Sequence, residues 1–289
     1  MEDFNPNNFD HVSKVVDFIK EKVGGNNGLL KKPEVLIICG SGLGSLADEV
    51  KNPVKILYKD IPNFPVGNVQ GHKGCLLFGE LEGKQVMCMQ GRVHPYEGKS
   101  LALCAMPIRV GKLLGIKTML MTSAVGGINE KYNVGDLMVV KDHLFVPGVS
   151  LQSPLVGEND ERFGARFTSS TNLYDRQLRK LAHKVAGEQN LSLREGIYAM
   201  SGGPQFETPA EIRWFALSGA DVIGMSVCHE TVVARHCDLK VLALTLITNM
   251  SEHDSDAPQQ EHLHEEVLKA GQMAAKHTAR LIKGILAEL

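Results

Sequence analysis

The segment EVLIICGSGLGS, residues 34–45, decides the fold class of this sequence. Its five consecutive apolar residues at 35–39 predict a strand that is covered on both faces, as strands of mostly parallel sheets are. Three glycines, Gly40, Gly42 and Gly44, follow at once and alternate with other residues. Ligands of α/β proteins bind where such strands end in loops, so this loop is the first candidate for a binding site.

Two kinds of nucleotide loop are disfavoured at this position. A dinucleotide loop has the pattern G-x-G-x-x-G, and Ser45 stands where its third glycine is required. A triphosphate loop contains G-K-[ST], which does not occur here. Two interpretations remain open. The loop is either a nest of backbone N–H groups that binds one small anion together with the Ser41 hydroxyl, or a plain strand-to-helix turn.

A second loop, GRVHPYEG at residues 91–98, favours the anion site. Arg92 and His94 are two residues apart at a strand end, so both side chains lie on the same side and can meet one anion. Tyr96 follows on that face. An isolated pair of this kind is often a solvated edge, but the two glycine-flanked loops together predict a phosphate site.

The rest of the sequence alternates predicted strands with predicted helices. Apolar residues at helical spacing indicate helices at 9–23, 100–114, 174–188 and from about 261 onward. Strands are predicted in a hairpin at 75–91 that turns at Glu82-Gly83, and at 118–127, 136–143, 196–201 and 240–247. Many turn-forming residues at 146–172 predict a long ordered loop. The pattern predicts one α/β domain over residues 1–289, with a central mixed β-sheet flanked by helices.

Composition and charge limit the possible partners. The 289 residues include 31 basic and 33 acidic ones, interspersed, with a net charge of −2. No basic face indicates nucleic acid or an anionic membrane. The first residues lack the basic and apolar parts of a secretory signal, and no apolar run approaches the roughly 18 residues of a membrane span. We therefore expect a soluble, cytoplasmic protein without nucleic-acid or membrane partners.

The cysteines and histidines do not indicate a metal. Six cysteines occur without a C-x-x-C pair: Cys39, Cys75, Cys88, Cys104, Cys228 and Cys237. Several lie in apolar segments, so buried free thiols in a reducing compartment are favoured over disulfides or zinc. His262 and His264 form an H-x-H pair, but no second pair of ligands stands at a suitable spacing. We expect no metal site.

Eleven motifs along the chain resemble, in the same order, those of the trimeric purine nucleoside phosphorylases. They are CGSGLG (39–44), IPNFP (61–65), GH (71–72), MQGRVHPYEG (89–98), AVGGIN (124–129), NDERFGARF (159–167), GGPQFET (202–208), GADVIGMS (219–226), ARHC (234–237), LITN (246–249) and HEEVL (264–268). The resemblance covers nearly the whole chain. It implies a single-domain nucleoside-phosphorylase-like fold, a homotrimer and a pentosyltransferase of purine salvage.

The implied reaction is reversible phosphorolysis of purine nucleosides and deoxynucleosides to the free base and (deoxy)ribose 1-phosphate. Because the sugar passes through an oxocarbenium-like cation, the reaction needs a bound anion and a stabilised leaving base. Inorganic phosphate is then a co-substrate, and no cofactor is expected. The resemblance assigns phosphate binding to Ser41, His72, Arg92, His94, the Ala124 N–H and Ser226. It assigns the ribose hydroxyls to Tyr96, Met225 and His264.

Base recognition is assigned by the resemblance to Glu207 and Asn249, which together with His94 are the predicted catalytic residues. An ionised Glu207 accepts the N1–H of a 6-oxopurine, and the Asn249 amide bonds to O6 and N7, where negative charge develops. Adenine offers an acceptor at N1 instead, so inosine and guanosine are expected to be preferred to adenosine. From the residues alone, Glu207 is equally well explained as an acid at a helix N-terminus.

Two phenylalanines complete the implied nucleoside site. Phe206 is expected to pack on the purine face. Phe167 resembles the family residue that reaches into the ribose site of the neighbouring subunit, which would make the trimer part of the active site. Ordinary core packing is the alternative explanation for both side chains.

The sequence departs from the family pattern near the implied phosphate site. Residues 227–229 are Val-Cys-His where the family commonly has Thr-Val-Pro, and Ser123 replaces an asparagine. The altered loop leaves open a catalytically weak homologue that binds purine or phosphate as a sensor. A nicotinamide-dependent dehydrogenase is the remaining alternative, which Ser45 disfavours. A methylthioadenosine phosphorylase of the same fold needs an aspartate at the position of Asn249, so this residue argues against it.

Overall fold

The computed structural model describes residues 4–24, 32–41, 44–69, 73–258 and 263–289, without the side chains of residues 263, 264 and 266. Within these ranges the strands are β1 (Val35–Cys39), β2 (Lys51–Leu57), β3 (Cys75–Leu81), β4 (Lys84–Gln90), β5 (Thr118–Gly127), β6 (Leu137–Phe145), β7 (Leu193–Met200), β8 (Val222–Gly224) and β9 (Lys240–Met250). They form one mixed sheet in the order β2-β3-β4-β1-β5-β8-β7-β6-β9. Because β5 also pairs with β9, the second half of the sheet closes on itself.

Helices cover both faces of this sheet. They are α1 (Phe9–Gly24), α2 (Leu101–Leu114), α3 (Val146–Val149), α4 (Arg176–Glu188), α5 (Pro209–Leu217), α6 (Cys228–His236) and α7 (Leu263–Glu288). Leu36 and Ile38 of β1 belong to an apolar core shared with α1, α2 and α6, whereas Ile37 and Cys39 face a second core shared with α4 and α7. This burial on both faces explains why residues 35–39 form an uninterrupted apolar run.

The predicted hairpin and most predicted helices and strands are confirmed. β3 and β4 pair antiparallel from Cys75–Gln90 to Leu81–Lys84, and both turn residues, Glu82 and Gly83, have positive φ angles of 50° and 79°. Two-residue turns of this kind match the twist of the paired strands. The segment 146–172 is a loop apart from the short helix α3.

Four of the strands and α-helices named above were not predicted: β2, α3, β8 and α6. β2 contains Pro53 and three polar or charged residues, and it lies at the edge of the sheet, where proline is tolerated. β8 is only three residues long. Such segments lack the period-2 alternation or apolar run that identifies a strand from sequence.

All six cysteines are buried and unbridged, which confirms the prediction of free thiols. Cys39 and Cys88 lie on the neighbouring strands β1 and β4 with 3.8 Å between the two sulfur atoms. Of the helices in the described ranges, none combines the length and the apolar composition that a membrane crossing requires.

One edge of the sheet collects the strand ends that carry the predicted site. β1, β4, β5 and β9 run parallel to one another, so their carboxyl ends meet there. They lead to Ser41, Arg92, Ala124 and Asn249 respectively. β8 reaches the same edge from the opposite direction, because it pairs antiparallel with the end of β5.

Candidate active site

A cavity of about 720 Å³ opens at this edge of the sheet. Its walls come from the strand ends, from the loop before α5 and from the segment 251–258. It collects most of the side chains that the sequence assigned to phosphate and nucleoside binding: Ser41, Arg92, His94, Tyr96, Ala124, Phe206, Glu207, Met225, Ser226 and Asn249. Residues that are far apart in the sequence therefore converge on one site.

Three predicted residues are not placed in this cavity. His72 lies outside the described residues, as does His262 of the H-x-H pair. His264 is the second residue of α7 and its side chain is not described, while Val267, three residues further along the helix, lines the cavity. Phe167 is 91% exposed and lines a different cavity of about 640 Å³.

Arg92 places a buried positive charge in the cavity wall. Its Nε donates to Oε1 of Glu230 at 2.7 Å, and its Nη1 donates to the carbonyl oxygen of Thr122 at 2.9 Å. Both members of the ion pair are almost fully buried. Burial is the largest single effect and raises the pKa of Glu230, but the charge of Arg92, its hydrogen bond and the other nearby groups together keep the pKa below its usual value. The guanidinium is thus fixed in place, as an anion site requires.

Gly40 leaves room for this arrangement. Its N–H donates to Oγ1 of Thr122 at 3.0 Å. A Cβ at Gly40 would lie 2.5 Å from the Thr122 carbonyl oxygen and 3.1 Å from Nη1 of Arg92. The first glycine of the loop is therefore required by close packing against β5 and Arg92. Residues 42–43, which would complete a nest, lie outside the described residues.

We expect Gly40→Ala to destabilise the fold by about 1–3 kcal/mol, because the added methyl group overpacks a rigid backbone contact. It should also weaken binding of inorganic phosphate, since Thr122 or Arg92 must move. Urea unfolding and phosphate titration by calorimetry measure both effects. Gly24→Ala is the matched control, because a Cβ at Gly24 meets nothing within 4 Å. Equal unfolding midpoints for the two variants would contradict the prediction.

Two serine hydroxyls lie side by side in the cavity wall. Ser123 Oγ and Ser226 Oγ are 3.0 Å apart and hydrogen-bonded, and the Ser226 N–H donates to the Tyr198 hydroxyl at 3.1 Å. Val227 follows with a φ of 68° in a γ-turn, in which the Cys228 N–H donates to the Ser226 carbonyl oxygen at 2.7 Å. This turn is strained for a β-branched residue. It sets Ser226 just before the N-terminus of α6, whose dipole favours an anion.

The loop after β4 orients His94 and Tyr96. Their rings stack with centroids 4.7 Å apart. The His94 N–H donates to Oε1 of Glu97 at 2.7 Å, and the Asn68 N–H donates to Oε2 of the same carboxylate at 2.6 Å. Burial raises the pKa of Tyr96 to about 12, so its phenol stays protonated and can donate to a ligand.

Glu207 precedes α5 but does not cap it. The capping residues of this helix are Thr208, which accepts from the Glu211 N–H, and Glu211, which accepts from the Thr208 N–H. The Glu207 carboxylate instead accepts a hydrogen bond from the Ser201 hydroxyl. Burial raises the pKa of Glu207, and the Ser201 hydrogen bond acts in the opposite direction. Its orientation thus fits ligand binding better than helix capping.

A β-bulge directs Asn249 into the cavity. In the β5–β9 pair, Val125 lies opposite Ile247 but Gly126 lies opposite Asn249, so Thr248 is the extra residue. The Thr248 hydroxyl donates to the Val125 carbonyl oxygen at 3.2 Å and lies 3.3 Å from Oδ1 of Asn249. The amide is therefore positioned by the bulge and by the small residues of the β5 end.

His229, one of the departures from the family pattern, lies behind the site. It is fully buried in the first turn of α6, next to Glu230, and neither ring nitrogen has a hydrogen-bond partner among the described residues. Burial lowers its pKa to about 4, and the charge of Arg92 acts in the same direction. The imidazole is therefore neutral at pH 7 and does not line the cavity.

We expect His229 to make the fold sensitive to mild acid. The His229 imidazole takes up a proton near pH 6.5 in the unfolded chain but only near pH 4 in the folded chain. Its neutral form therefore contributes fully to the free energy of unfolding above pH 6.5. This contribution is lost as the pH falls from 6.5 to 4, by on the order of 3 kcal/mol. His229→Met should flatten this part of the urea-unfolding pH profile without loss of stability at pH 7, since no hydrogen bond is removed. An unchanged slope in the variant would refute this.

Three residues that support the site were not predicted to have this role: Thr122, Ser201 and Glu230. Each contacts a predicted residue, namely Arg92 or Glu207. A backbone carbonyl, a single hydroxyl or a single carboxyl group carries no sequence signal of such contacts, because its partner is distant in the chain or reached around a loop.

Comparison with known proteins agrees with this fold. A family model described as the phosphorylase superfamily matches residues 34–287. Purine nucleoside phosphorylase of Bos taurus is 45% identical over 262 residues, covering 90% of this chain and 90% of that protein. Crystal structures of Schistosoma mansoni purine nucleoside phosphorylase are also similar. The complex with inosine has a TM-score of 0.92 at 44% identity and covers 99% of both chains. The complex with adenosine has a TM-score of 0.91 at 45% identity and covers 98% of both chains.

The mixed sheet and the cavity at its edge identify the class of protein by its fold, and the similar proteins identify the family within that class. The chain belongs to the phosphorylase superfamily and, within it, to the purine nucleoside phosphorylases. The changes at Ser123 and at residues 227–229 therefore occur within this family.

Proposed function

We propose that this protein catalyses the reversible phosphorolysis of purine nucleosides and deoxynucleosides in purine salvage, with a preference for the 6-oxopurines inosine and guanosine. The observation that carries the proposal is that one cavity holds two complementary groups of side chains. The first is an anion cluster of Ser41, Arg92, His94 and Ser226. The second is a carboxylate–amide pair, Glu207 and Asn249.

In the proposed reaction the anion cluster binds phosphate, and one phosphate oxygen attacks C1′ of the ribose. Arg92 supplies the charge that holds the dianion, and the serine hydroxyls and the Ala124 N–H supply further donors. The bound dianion lies next to the positive charge that develops on the sugar and stabilises it. Tyr96, Met225 and His264 are proposed to hold the ribose, and His72 is proposed to contact the phosphate.

The carboxylate–amide pair is proposed to stabilise the departing base. As the glycosidic bond breaks, its electron pair moves into the purine ring toward N7 and O6, and the base leaves neutral after taking up a proton from solvent, which balances the proton that phosphate gives up on forming the ester. The Asn249 amide donates to these atoms, and the ionised Glu207 accepts the N1–H. Contacts that strengthen as charge develops lower the barrier more than they tighten ground-state binding.

Discrimination against adenosine follows from the same pair. Adenine has an acceptor at N1, which faces the Glu207 carboxylate without a proton between them. The Schistosoma mansoni relative has been crystallised with adenosine as well as with inosine. For this chain we propose that adenosine is the poorer substrate by turnover, whichever nucleosides it binds.

We also propose that the chain forms one domain and assembles as a homotrimer, with Phe167 reaching the active site of a neighbouring subunit. Phe167 is 91% exposed, and Val149 and Leu151 in the same segment, 146–172, are 87% and 83% exposed. Large apolar side chains this exposed support a protein–protein contact. Sedimentation equilibrium measures the mass of the assembly and so tests the homotrimer.

The six buried free thiols support a cytoplasmic location.

The test of the proposed function is release of hypoxanthine from inosine, followed by coupling to xanthine oxidase, with and without inorganic phosphate. We expect turnover only with phosphate, accompanied by formation of ribose 1-phosphate. Hypoxanthine added directly controls for the coupling enzyme. Release without phosphate would indicate a hydrolase, and binding of inosine without turnover would favour the sensor.

We expect Asn249→Asp to shift the ratio of kcat/KM for adenosine to that for inosine by about tenfold or more toward adenosine. The added carboxylate repels O6 of hypoxanthine but accepts from the N6 amino group of adenine. The xanthine oxidase and adenine-release assays measure the two substrates under identical conditions. An unchanged ratio would place O6 and N7 away from Asn249.

A further inference from the structure

We propose that Ser201 is a positioning residue of the purine site, whose hydroxyl holds the Glu207 carboxylate as an acceptor for the N1–H of a 6-oxopurine. This inference deepens the proposed function and rests on it. It adds to the nucleoside-binding residues a side chain that does not line the cavity and acts only through Glu207.

Ser201 is held firmly in place. It directly follows β7, and its N–H donates to the Gly224 carbonyl oxygen of β8 at 3.0 Å. The chain then turns through Gly203, which has a φ of 61° and contacts the Met225 side chain so closely that a Cβ has no room. This turn returns Glu207 to Ser201, and the serine hydroxyl donates to Oε1 of the carboxylate.

The hydrogen bond has one direction, and that direction suits the ligand. A serine hydroxyl has a single proton, and here it is given to Oε1 of Glu207. The carboxylate is thereby favoured in its ionised, acceptor-only form, and Oε2 can accept the purine N1–H. Capping does not explain this contact, because Thr208 and Glu211 already cap α5.

The surroundings make such a donor necessary. Burial and the nearby negative charge of Glu211 both raise the pKa of Glu207, and the Ser201 hydroxyl counteracts them. Glu252 and Asp254 line the same cavity from the segment 251–258 and add further negative charge. Asn249 on β9 is neutral. Without the serine proton, Glu207 takes up a proton at a higher pH and becomes a donor that a 6-oxopurine cannot use.

The experiment compares Ser201→Ala with Ser201→Thr, which keeps the hydroxyl, and with Ser218→Ala, which removes an exposed hydroxyl bonded within α5. The readout is kcat/KM for inosine between pH 5 and 8. In Ser201→Ala we expect the acidic limb of the kcat/KM profile to move to higher pH by about one unit. The KM for inosine should rise about tenfold. The KM for phosphate should stay unchanged. Ser201→Thr and Ser218→Ala should follow the wild type.

A second consequence separates positioning from packing. A protonated Glu207 can donate to N1 of adenine. Ser201→Ala should therefore lower the ratio of kcat/KM for inosine to kcat/KM for adenosine near pH 6. Ser201→Cys has a similar shape and a weaker donor, so it should shift the acidic limb of the kcat/KM profile in the same direction. It replaces the alanine variant if that variant does not fold.

The kinetic results distinguish failure of the Ser201 inference from failure of the proposed function. An acidic limb that stays in place in both Ser201→Ala and Ser201→Cys overturns the inference, as does an equal rise in KM for inosine and phosphate. Absence of phosphate-dependent turnover in the wild type overturns the proposed function itself and the inference with it. The two failures are distinguished by the wild-type arm.

Discussion

Glu207→Ala is expected to lower kcat/KM for inosine by about 10²–10³-fold, the loss typical when a group that stabilises the transition state is removed. The substitution removes the acceptor of the purine N1–H and leaves the Ser201 hydroxyl without its partner. Since the base gains electron density as the bond breaks, kcat should fall as well as KM rise. Steady-state kinetics with saturating phosphate measure this.

Matched variants show whether the charge or the shape of Glu207 matters. Glu207→Gln keeps the side-chain length and a neutral acceptor, so we expect an intermediate loss. Glu211→Gln changes the neighbouring acid, which caps α5 rather than facing Ser201, and should leave kcat nearly unchanged. A kcat/KM within threefold of the wild type for Glu207→Ala would show that base recognition lies elsewhere in the cavity.

Local sequence patterns predicted those parts of the fold in which one segment determines its own structure. The apolar run at 35–39 defines a strand buried on both faces, and Glu82-Gly83 adopts the two positive φ angles that a tight hairpin requires. The placement of Arg92 and His94 at a strand end followed from residue spacing. Their convergence with Ser226 did not, and it was predicted only through the resemblance to a family.

What could not be predicted depends on contacts between distant segments. The need for Gly40 arises from the carbonyl oxygen of Thr122, 82 residues along the chain, and the Gly40 N–H donates to the hydroxyl of the same residue. The burial of His229 depends on packing around α6, a helix whose short polar sequence gave no clear periodicity. The bulge at Thr248 results from pairing with β5. Each of these features has a physical cause, but that cause is a tertiary contact between segments that are distant in the sequence.

Glu230→Ala is expected to destabilise the fold by about 3–5 kcal/mol, the typical cost of removing one partner of a buried ion pair. The Arg92 guanidinium is 2% exposed and would keep its charge without the carboxylate that lies 2.7 Å from its Nε. The Thr122 carbonyl oxygen is a neutral partner and cannot replace that charge. Urea unfolding at fixed protein concentration measures the effect.

The controls for Glu230→Ala separate charge from hydrogen bonding. Glu230→Gln keeps an acceptor for Nε and should cost less than alanine, whereas Glu288→Gln removes an exposed ion pair with Lys184 and should change little. Because Arg92 is fixed by Glu230, both Glu230 variants should also raise the KM for phosphate more than that for inosine. Inorganic phosphate should then restore part of the lost stability, since a bound anion supplies the missing negative charge to Arg92. An unfolding midpoint equal to that of the wild type, with no response to phosphate, would show that the Arg92–Glu230 pair neither stabilises the fold nor positions the anion site.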